Sequence, residues 1–300
     1  MNADFLKAEM RCGYLVNDRM KAIWKVQLDI LEEVIRICRK YDISFYLMYG
    51  SMLGAVRHRG YIPWDDDLDI GMFREDFDRF LEVAQKELPS HLFLQTSSTE
   101  KGYYFSFAKI KDSNTTALDK VYTSLGAKIN YGIFVDVFPL DAYPEKDVES
   151  AKRYFGRIDR LQSFLRRSYW GSGRKSVMAK ALDIIARIVG WRVLACLRDW
   201  LLRRHKAKGA FWCIGDLADA RNERMIFKAK WFESAKWVPF EYLEVPIPSG
   251  AEEVLTHSYG DWHKFVMGGA THEGNIEFDP YRPYSEVLEE RLRSRSGKGV

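Results

Sequence analysis

An α+β fold is what this sequence predicts: a mixed sheet flanked by helices over residues 1–145, and a mainly helical region over 146–300. Three observations lead there. Apolar residues in the first 145 positions switch between the two-residue period of strands and the three-and-four spacing of helices. Beyond that point the apolar runs are mostly helical in spacing. With 300 residues, 47% of them apolar, the chain can bury one large core or two smaller ones.

The first element is a helix. Ile23, Val26, Gln27, Ile30, Leu31, Val34, Ile37 and Cys38 share one face, Lys25, Asp29, Glu32, Arg36 and Arg39 the other. Asn17 or Asp18 is placed to cap it. ISFYLMYG (43–50) reads as a strand running into a glycine turn, with a short helix opening at Ser51–Val56. LDIGMF (68–73) is a second strand, and Phe77, Phe80, Leu81, Ala84 and Leu88 mark a helix stopped by Pro89. YYFSFAKIK (103–111) and YGIFVDVFPL (131–140) are further strands, the latter expected to end at Pro139. Val148, Ala151, Tyr154, Phe155, Ile158, Leu161 and Leu165 make the next helix. A longer apolar and basic helical stretch, Ser176–Lys206, is interrupted near Gly190. WVPFEYLEVPIPSG (237–250) carries three prolines and is expected at an edge or as irregular chain, before a short helix at Ala251–Tyr259.

Composition narrows the function classes. Cys12, Cys38, Cys196 and Cys213 form no CxxC pair, which points to thiols in a reducing compartment rather than a zinc or disulfide framework. The N-terminal twenty residues lack the apolar region of a secretion signal, and no uncharged apolar run is long enough to cross a bilayer. A cytoplasmic location is expected. The net charge of +4 hides an asymmetry: Lys152–Lys208 holds sixteen Lys/Arg against three Asp, so this block is +13 and the remainder −9. Such a block suits an anionic partner, and without an RNP, zinc-finger or basic-zipper pattern a lipid surface fits better than a nucleic acid.

Chemistry concentrates in YGSMLGAVRHRGYIPWDDDLDIGMF (49–73). Neighbouring carboxylates repel, so Asp65, Asp66, Asp67 and Asp69 together cost stability unless water, cations or a metal offset them. Gly50-Ser51 closes a strand and opens a helix, whose N-terminal N–H groups suit a phosphate. In an extended strand Asp67 and Asp69 point the same way with Cα atoms about 6.6 to 7 Å apart, so both can reach one hard cation such as Mg²⁺. Asp136 sits among apolar residues in FVDV (134–137), where a buried charge needs compensation that a shared divalent ion would supply.

This order of hydrophobic-Gly-Ser, Asp-x-Asp and a later lone Asp resembles the nucleotidyltransferase superfamily. The wider wording, with FAKIKDSNT, GIFVDVFPLD and PSGAEEVLTHSYGDW added, is similar to the LicD family, the bacterial phosphocholine-transferase group related to the fukutin proteins, from about Gln27 to Trp262. The resemblance implies a nucleotidyltransferase-like core sheet and transfer of a phosphorylated small alcohol from a CDP-linked donor. The acceptor would be a sugar of a cell-surface glycan, such as lipopolysaccharide, capsule or teichoic acid, or its lipid-linked precursor. Carried over by position, Asp67, Asp69 and Asp136 hold Mg²⁺ or Mn²⁺, Gly50, Ser51 and Arg57 lie in the donor phosphate region, and Lys109 is the next phosphate contact. The expected reaction has a sugar hydroxyl attacking the distal phosphorus, CMP leaving, and Asp136 or a neighbouring aspartate taking the proton.

The tail departs from the family pattern: WHKFVMGGATHEGNIEFDPYRPYSEVL stands where many members carry a Pro-Pro and a basic-His cluster. That leaves the donor head group and the acceptor open, with Glu273 and Asp279 as acceptor contacts or plain surface charge. Trp64 has two roles open, fixing its loop or stacking on a cytosine or a choline-type cation. His58 reads as a polar loop residue, and His257, His263 and His272 lack metal spacing. The stretch 176–204 reads either as a basic amphipathic helix lying peripherally on the inner face of an anionic membrane or as a core-packing hairpin. Two other functions compete: nucleotidyl transfer from an NTP with pyrophosphate release, and a non-catalytic glycan-assembly subunit at the membrane surface.

Overall fold

A small hairpin, β1 (Glu9–Arg11) and β2 (Tyr14–Val16), leads into α1 (Asp18–Tyr41) in the computed structural model. It describes residues 3–124, 126–144, 147–206, 210–267 and 274–296. Asn17 caps α1, its Oδ1 accepting the Met20 N–H at 2.8 Å, and the apolar stripe read from the sequence is the buried face. The chain then runs through β3 (Tyr46–Leu47), α2 (Tyr49–His58), β4 (Asp69–Phe73), α3 (Arg74–Glu87), β5 (Leu92–Gln95), β6 (Ala108–Asp112), β7 (Thr116–Asp119), α4 (Lys120–Ser124) and β8 (Ile133–Pro144). A helical stretch follows: α5 (Val148–Trp170), α6 (Val177–Val189) and α7 (Trp191–Leu202). The remainder is β9 (Phe211–Ile214), β10 (Phe227–Lys228), β11 (Ala235–Phe240), β12 (Leu243–Pro248), α8 (Ala251–Tyr259), β13 (Ile276–Asp279) and α9 (Tyr284–Ser296).

The fold is α+β. β8 is the hub of a seven-stranded mixed sheet: it pairs parallel with β4 and antiparallel with β6 and β9. β3 joins β4, β5 joins β6, and β10 joins β9. α1 and α3 pack on this sheet, and the largest core cluster lies between them and the strands. β9 and β10 come from beyond residue 145 yet extend the same sheet, so the second half is not only helical.

Several elements differ from the sequence reading for identifiable reasons. β8 continues through Pro139 to Pro144. Its pairing with β6 ends at Val137 and that with β9 starts at Asp141, so Pro139 falls where only the β4 ladder is present and its missing N–H removes at most one bond. The prolines of 237–250 sit in a regular two-stranded hairpin, β11–β12, in which both strands are edges. YYFSF (103–107) is not strand; its aromatic residues turn onto the sheet, and only β6 pairs. Gly190, at φ +86°, breaks the long helical run into α6 and α7 as expected.

Candidate active site

Register places the charged groups. Asp69 on β4 stands directly opposite Asp136 on β8, and Asp136 stands opposite Lys109 on β6. Gln95 on β5 follows opposite Lys109, so four polar side chains form a row across one sheet face. Lys109 Nζ donates to both oxygens of Asp136, at 2.5 and 2.7 Å. Ser51 Oγ, at the start of α2, accepts the Asp69 N–H at 2.8 Å, and the Asp69 carbonyl accepts from Met48 N–H at 2.9 Å. The strand carrying Asp69 is thereby tied to the helix that follows β3.

The acidic loop before β4 is held from behind by α1. Trp24 Nε1 donates to the Asp65 carbonyl and Gln27 Nε2 to the Asp66 carbonyl, each at 2.8 Å. The Trp24 ring lies flat on Tyr61, centroids 4.6 Å apart. Gly50 is required by contact: a Cβ there would come within 2.7 Å of Asp65 Oδ2. Burial, with Asp67 adding repulsion, holds the Asp65 carboxyl well above the usual carboxylate range. Asp69 is raised well above that range in the same way, by burial first and then by Asp67 and Asp136.

Asp67, Asp69, Lys109 and Asp136 open into a cavity of about 370 Å³. Its walls are strongly aromatic: Phe107 and Phe138 pack at 4.6 Å, Tyr49 meets Phe138 edge-on at 5.2 Å, and Lys109 Nζ sits 3.7 Å from the Phe134 ring centre. Tyr49 adopts φ +47°, uncommon for a non-glycine residue, and its hydroxyl accepts the Asp216 N–H at 3.1 Å. Gly215 makes that approach possible, since a Cβ there would lie 2.5 Å from the Tyr49 hydroxyl. Asp216 and Asp219, after β9, complete the acidic side of the cavity, and burial pushes the Asp216 carboxyl up to about 6. On the Lys109 side, burial first and then Lys109 push the Lys111 ammonium down to about 7 while its Nζ donates to the Asn130 carbonyl at 2.7 Å. A larger groove, about 770 Å³, lies beyond Phe73 and Leu140, but its Arg74 and Arg203 are already paired with Asp141 and Asp78.

Residues 42–163, from just before β3 into α5, match the domain described as LicD/FKTN/FKRP, nucleotidyltransferase domain. This chain carries a LicD-family domain. It is 27% identical over 243 residues to lipopolysaccharide cholinephosphotransferase LicD of Haemophilus influenzae, covering 80% of this chain and 89% of that protein. It is 45% identical over 138 residues to the uncharacterized protein RP689 of Rickettsia prowazekii, and 29% identical over 85 residues to ribitol 5-phosphate transferase FKRP of Homo sapiens. Those two matches cover 47% and 17% of the relatives' lengths, so the likeness there is to a part of each.

The residues expected from the LicD resemblance fall into two groups. Asp67, Asp69, Asp136 and Lys109 share the cavity inside the LicD-family domain. Ser51 is buried with its hydroxyl engaged by Asp69, and Gly50 has the Asp65 carboxyl against it, so both shape the acidic loop directly. Arg57 stands at the far end of α2: its guanidinium donates to the carbonyls of Trp262 and Lys264, at 2.7 and 3.2 Å, and lies over Phe265. Trp64 is buried, edge-on to Tyr14 at 5.9 Å, within the main core rather than on the cavity. Asp279 accepts the Tyr281 N–H at 3.0 Å, while His272 and Glu273 lie outside the described residues.

The donor set suits a hard divalent cation. Every candidate ligand is a carboxylate oxygen, and Asp65 Oδ1 is buried without a hydrogen-bond partner. Among the described residues, oxygens of Asp65, Asp66 and Asp67 lie within 4.8 Å of one another. Asp69 and Asp136 face the cavity with Asp67 but, among the described residues, do not join that close cluster. Burial first, then mutual repulsion, raises the carboxyls of Asp65 and Asp69. Sequence reasoning missed Asp216 and Asp219. Their signal was in plain view: FWCIGDLAD is an apolar strand followed directly by Gly-Asp, which sets a carboxylate at a strand end.

Proposed function

We propose that this chain is a Mg²⁺- or Mn²⁺-dependent phosphotransferase. It moves a phospho-alcohol, phosphocholine foremost, from a CDP-linked donor onto a sugar hydroxyl of a cell-surface glycan or its lipid-linked precursor, releasing CMP. The LicD-family domain and the cholinephosphotransferase and ribitol 5-phosphate transferase relatives support phospho-alcohol transfer to a glycan. The observation that carries the reading is the row of Asp69, Asp136 and Lys109 across three strands, facing an aromatic cavity.

Held by Asp67, Asp69 and Asp136, a divalent ion would neutralise the diphosphate and favour departure of CMP. Lys109 supplies a fixed ammonium to the non-bridging phosphate oxygens. The sugar oxygen bonds to the distal phosphorus as the bond from that phosphorus to the CMP oxygen breaks. The hydroxyl proton passes to an aspartate of the same wall, Asp136 or Asp216. Aromatic faces favour a quaternary ammonium head group, which binds through cation–π contact with Asp216 and Asp219 adding attraction.

The test is nucleotide release with Mg²⁺ from CDP-choline, CDP-ethanolamine, CDP-ribitol and CDP-glycerol, in the presence of a glycan acceptor. CMP from CDP-choline is expected, and Phe105→Leu, which removes a cavity-wall ring, should raise KM for CDP-choline more than for CDP-glycerol. Pyrophosphate from an NTP, with no CMP from any CDP-alcohol, would replace this reading with nucleotidyl transfer.

A further inference from the structure

Helix α6 is packed inside out. Its buried residues are the small Ala179 and Ala186, which face α5 together with Asp183. Its large apolar residues point to solvent: Val177 is 85% exposed, Met178 76% and Ile188 79%, with Ile184 and Ile185 about half exposed. α7 continues the patch with Val193, Leu197 and Trp200. A contiguous apolar face of this kind on a water-soluble surface calls for an occupant.

Charge says which. The one acidic residue of α6, Asp183, turns inward, where Arg167 and the Ser172 N–H and hydroxyl hold it at 2.8–3.1 Å. Asp199 of α7 is engaged by Arg198 at 2.7 Å. The exposed charges around the patch, Arg174, Lys175, Lys180, Arg187 and Arg192, are all cationic, and among the described residues none has a carboxylate within ion-pair distance. Apolar side chains ringed by cations match the boundary of an anionic bilayer, with acyl chains beneath and headgroup phosphates around. Among the described residues no helix is long and apolar enough to span, so the contact is flat.

We propose that the α6–α7 hairpin docks this protein onto an anionic lipid surface. The dock is wired to the cavity. Arg198 donates to the Tyr104 carbonyl at 2.6 Å and to Ser97 Oγ at 3.1 Å, and Trp191 Nε1 donates to the Ser97 carbonyl at 3.2 Å. That same segment supplies Tyr103 and Phe105 to the cavity wall. Delivery of a lipid-linked glycan acceptor to that cavity follows if the proposed phosphotransfer holds; the docking itself does not depend on it.

Flotation of the full chain with phosphatidylcholine vesicles, with or without phosphatidylglycerol, tests this. The protein should float with the anionic vesicles at low salt and be released as salt rises. Each of Lys180→Gln, Arg187→Gln and Arg192→Gln should lower partitioning about fivefold. The double variant Ile184→Ser/Ile188→Ser should lose flotation while keeping the wild-type melting temperature, since both side chains are largely in water. Absence of flotation at low salt, or undiminished flotation of the double variant, overturns the proposal. So does a dimer in sedimentation that the double variant abolishes without vesicle binding, because the face would then belong to a second copy.

Discussion

Exchanging Asp69 for Asn removes an ionisable carboxyl from the row across β4, β8 and β6 while keeping the side chain's shape. Asp69 is buried, its carboxyl accepts no hydrogen bond among the described residues, and its directly opposed neighbour is Asp136. Adjacent strands lie about 4.8 Å apart, so two charges near 5 Å at an effective dielectric of about 20 repel by roughly 3 kcal/mol. Lys109, bound to Asp136, offsets part of this, leaving a relief of about 1–2 kcal/mol. Burial, then Asp67 and Asp136, raise the Asp69 carboxyl, so the repulsion is felt only as pH rises far enough to ionise it. In EDTA, Asp69→Asn should therefore melt with the wild type at acid pH and about 3 °C above it at alkaline pH. Added Mg²⁺ should erase the difference by stabilising only the wild type, and transfer activity should be lost. Differential scanning calorimetry with and without Mg²⁺, read beside CMP release, decides it. A variant that melts below the wild type in EDTA, or that retains transfer, would refute the electrostatic reasoning.

Three further outcomes can be checked. Gly50→Ala drives a Cβ to 2.7 Å from Asp65 Oδ2 and should cost about 1–3 kcal/mol in urea unfolding while shifting the acidic loop enough to lower turnover. Arg74→Met strands Asp141, which is 1% exposed, and should cost about 3–5 kcal/mol, most of it recovered by adding Asp141→Leu. His58 is pushed down to about 4 by burial and by Arg57 and Arg11, and its Nε2 accepts from Arg57 Nε at 2.9 Å. Its contribution is thus fully present above about pH 6.5 and lost as pH falls toward 4, by roughly 2 kcal/mol once partial exposure is allowed for. His58→Gln should flatten that part of the stability-versus-pH curve.

Local periodicity made most of the fold legible. The α1 stripe, the Asn17 cap, the β4 strand and the α6–α7 break at Gly190 all follow from residues within a few positions of one another. What it could not show was pairing. Leu92–Gln95 is strand because Lys109 to Asp112 lie beside it, and Phe211–Ile214 joins the central sheet because β8 runs on through Pro139. The site divides along the same line. Asp69, Asp136 and Lys109 announce themselves as charges within apolar strands, where burial demands compensation, and Asp67 as part of the acidic run just before β4. Arg57 and Trp64 look equally chemical in sequence, yet one donates to His58 and to carbonyls of the distant tail and the other packs among core side chains. Asp216 needed β9 beside β8 before its position meant anything.

Ion binding reaches the heart of the matter. Mn²⁺ titration followed by electron paramagnetic resonance, with CDP-choline present, should show ions bound to the wild type and lost from the Asp67→Asn/Asp69→Asn double variant, which should remain folded by circular dichroism. Equal Mn²⁺ binding by both folded proteins would contradict the account.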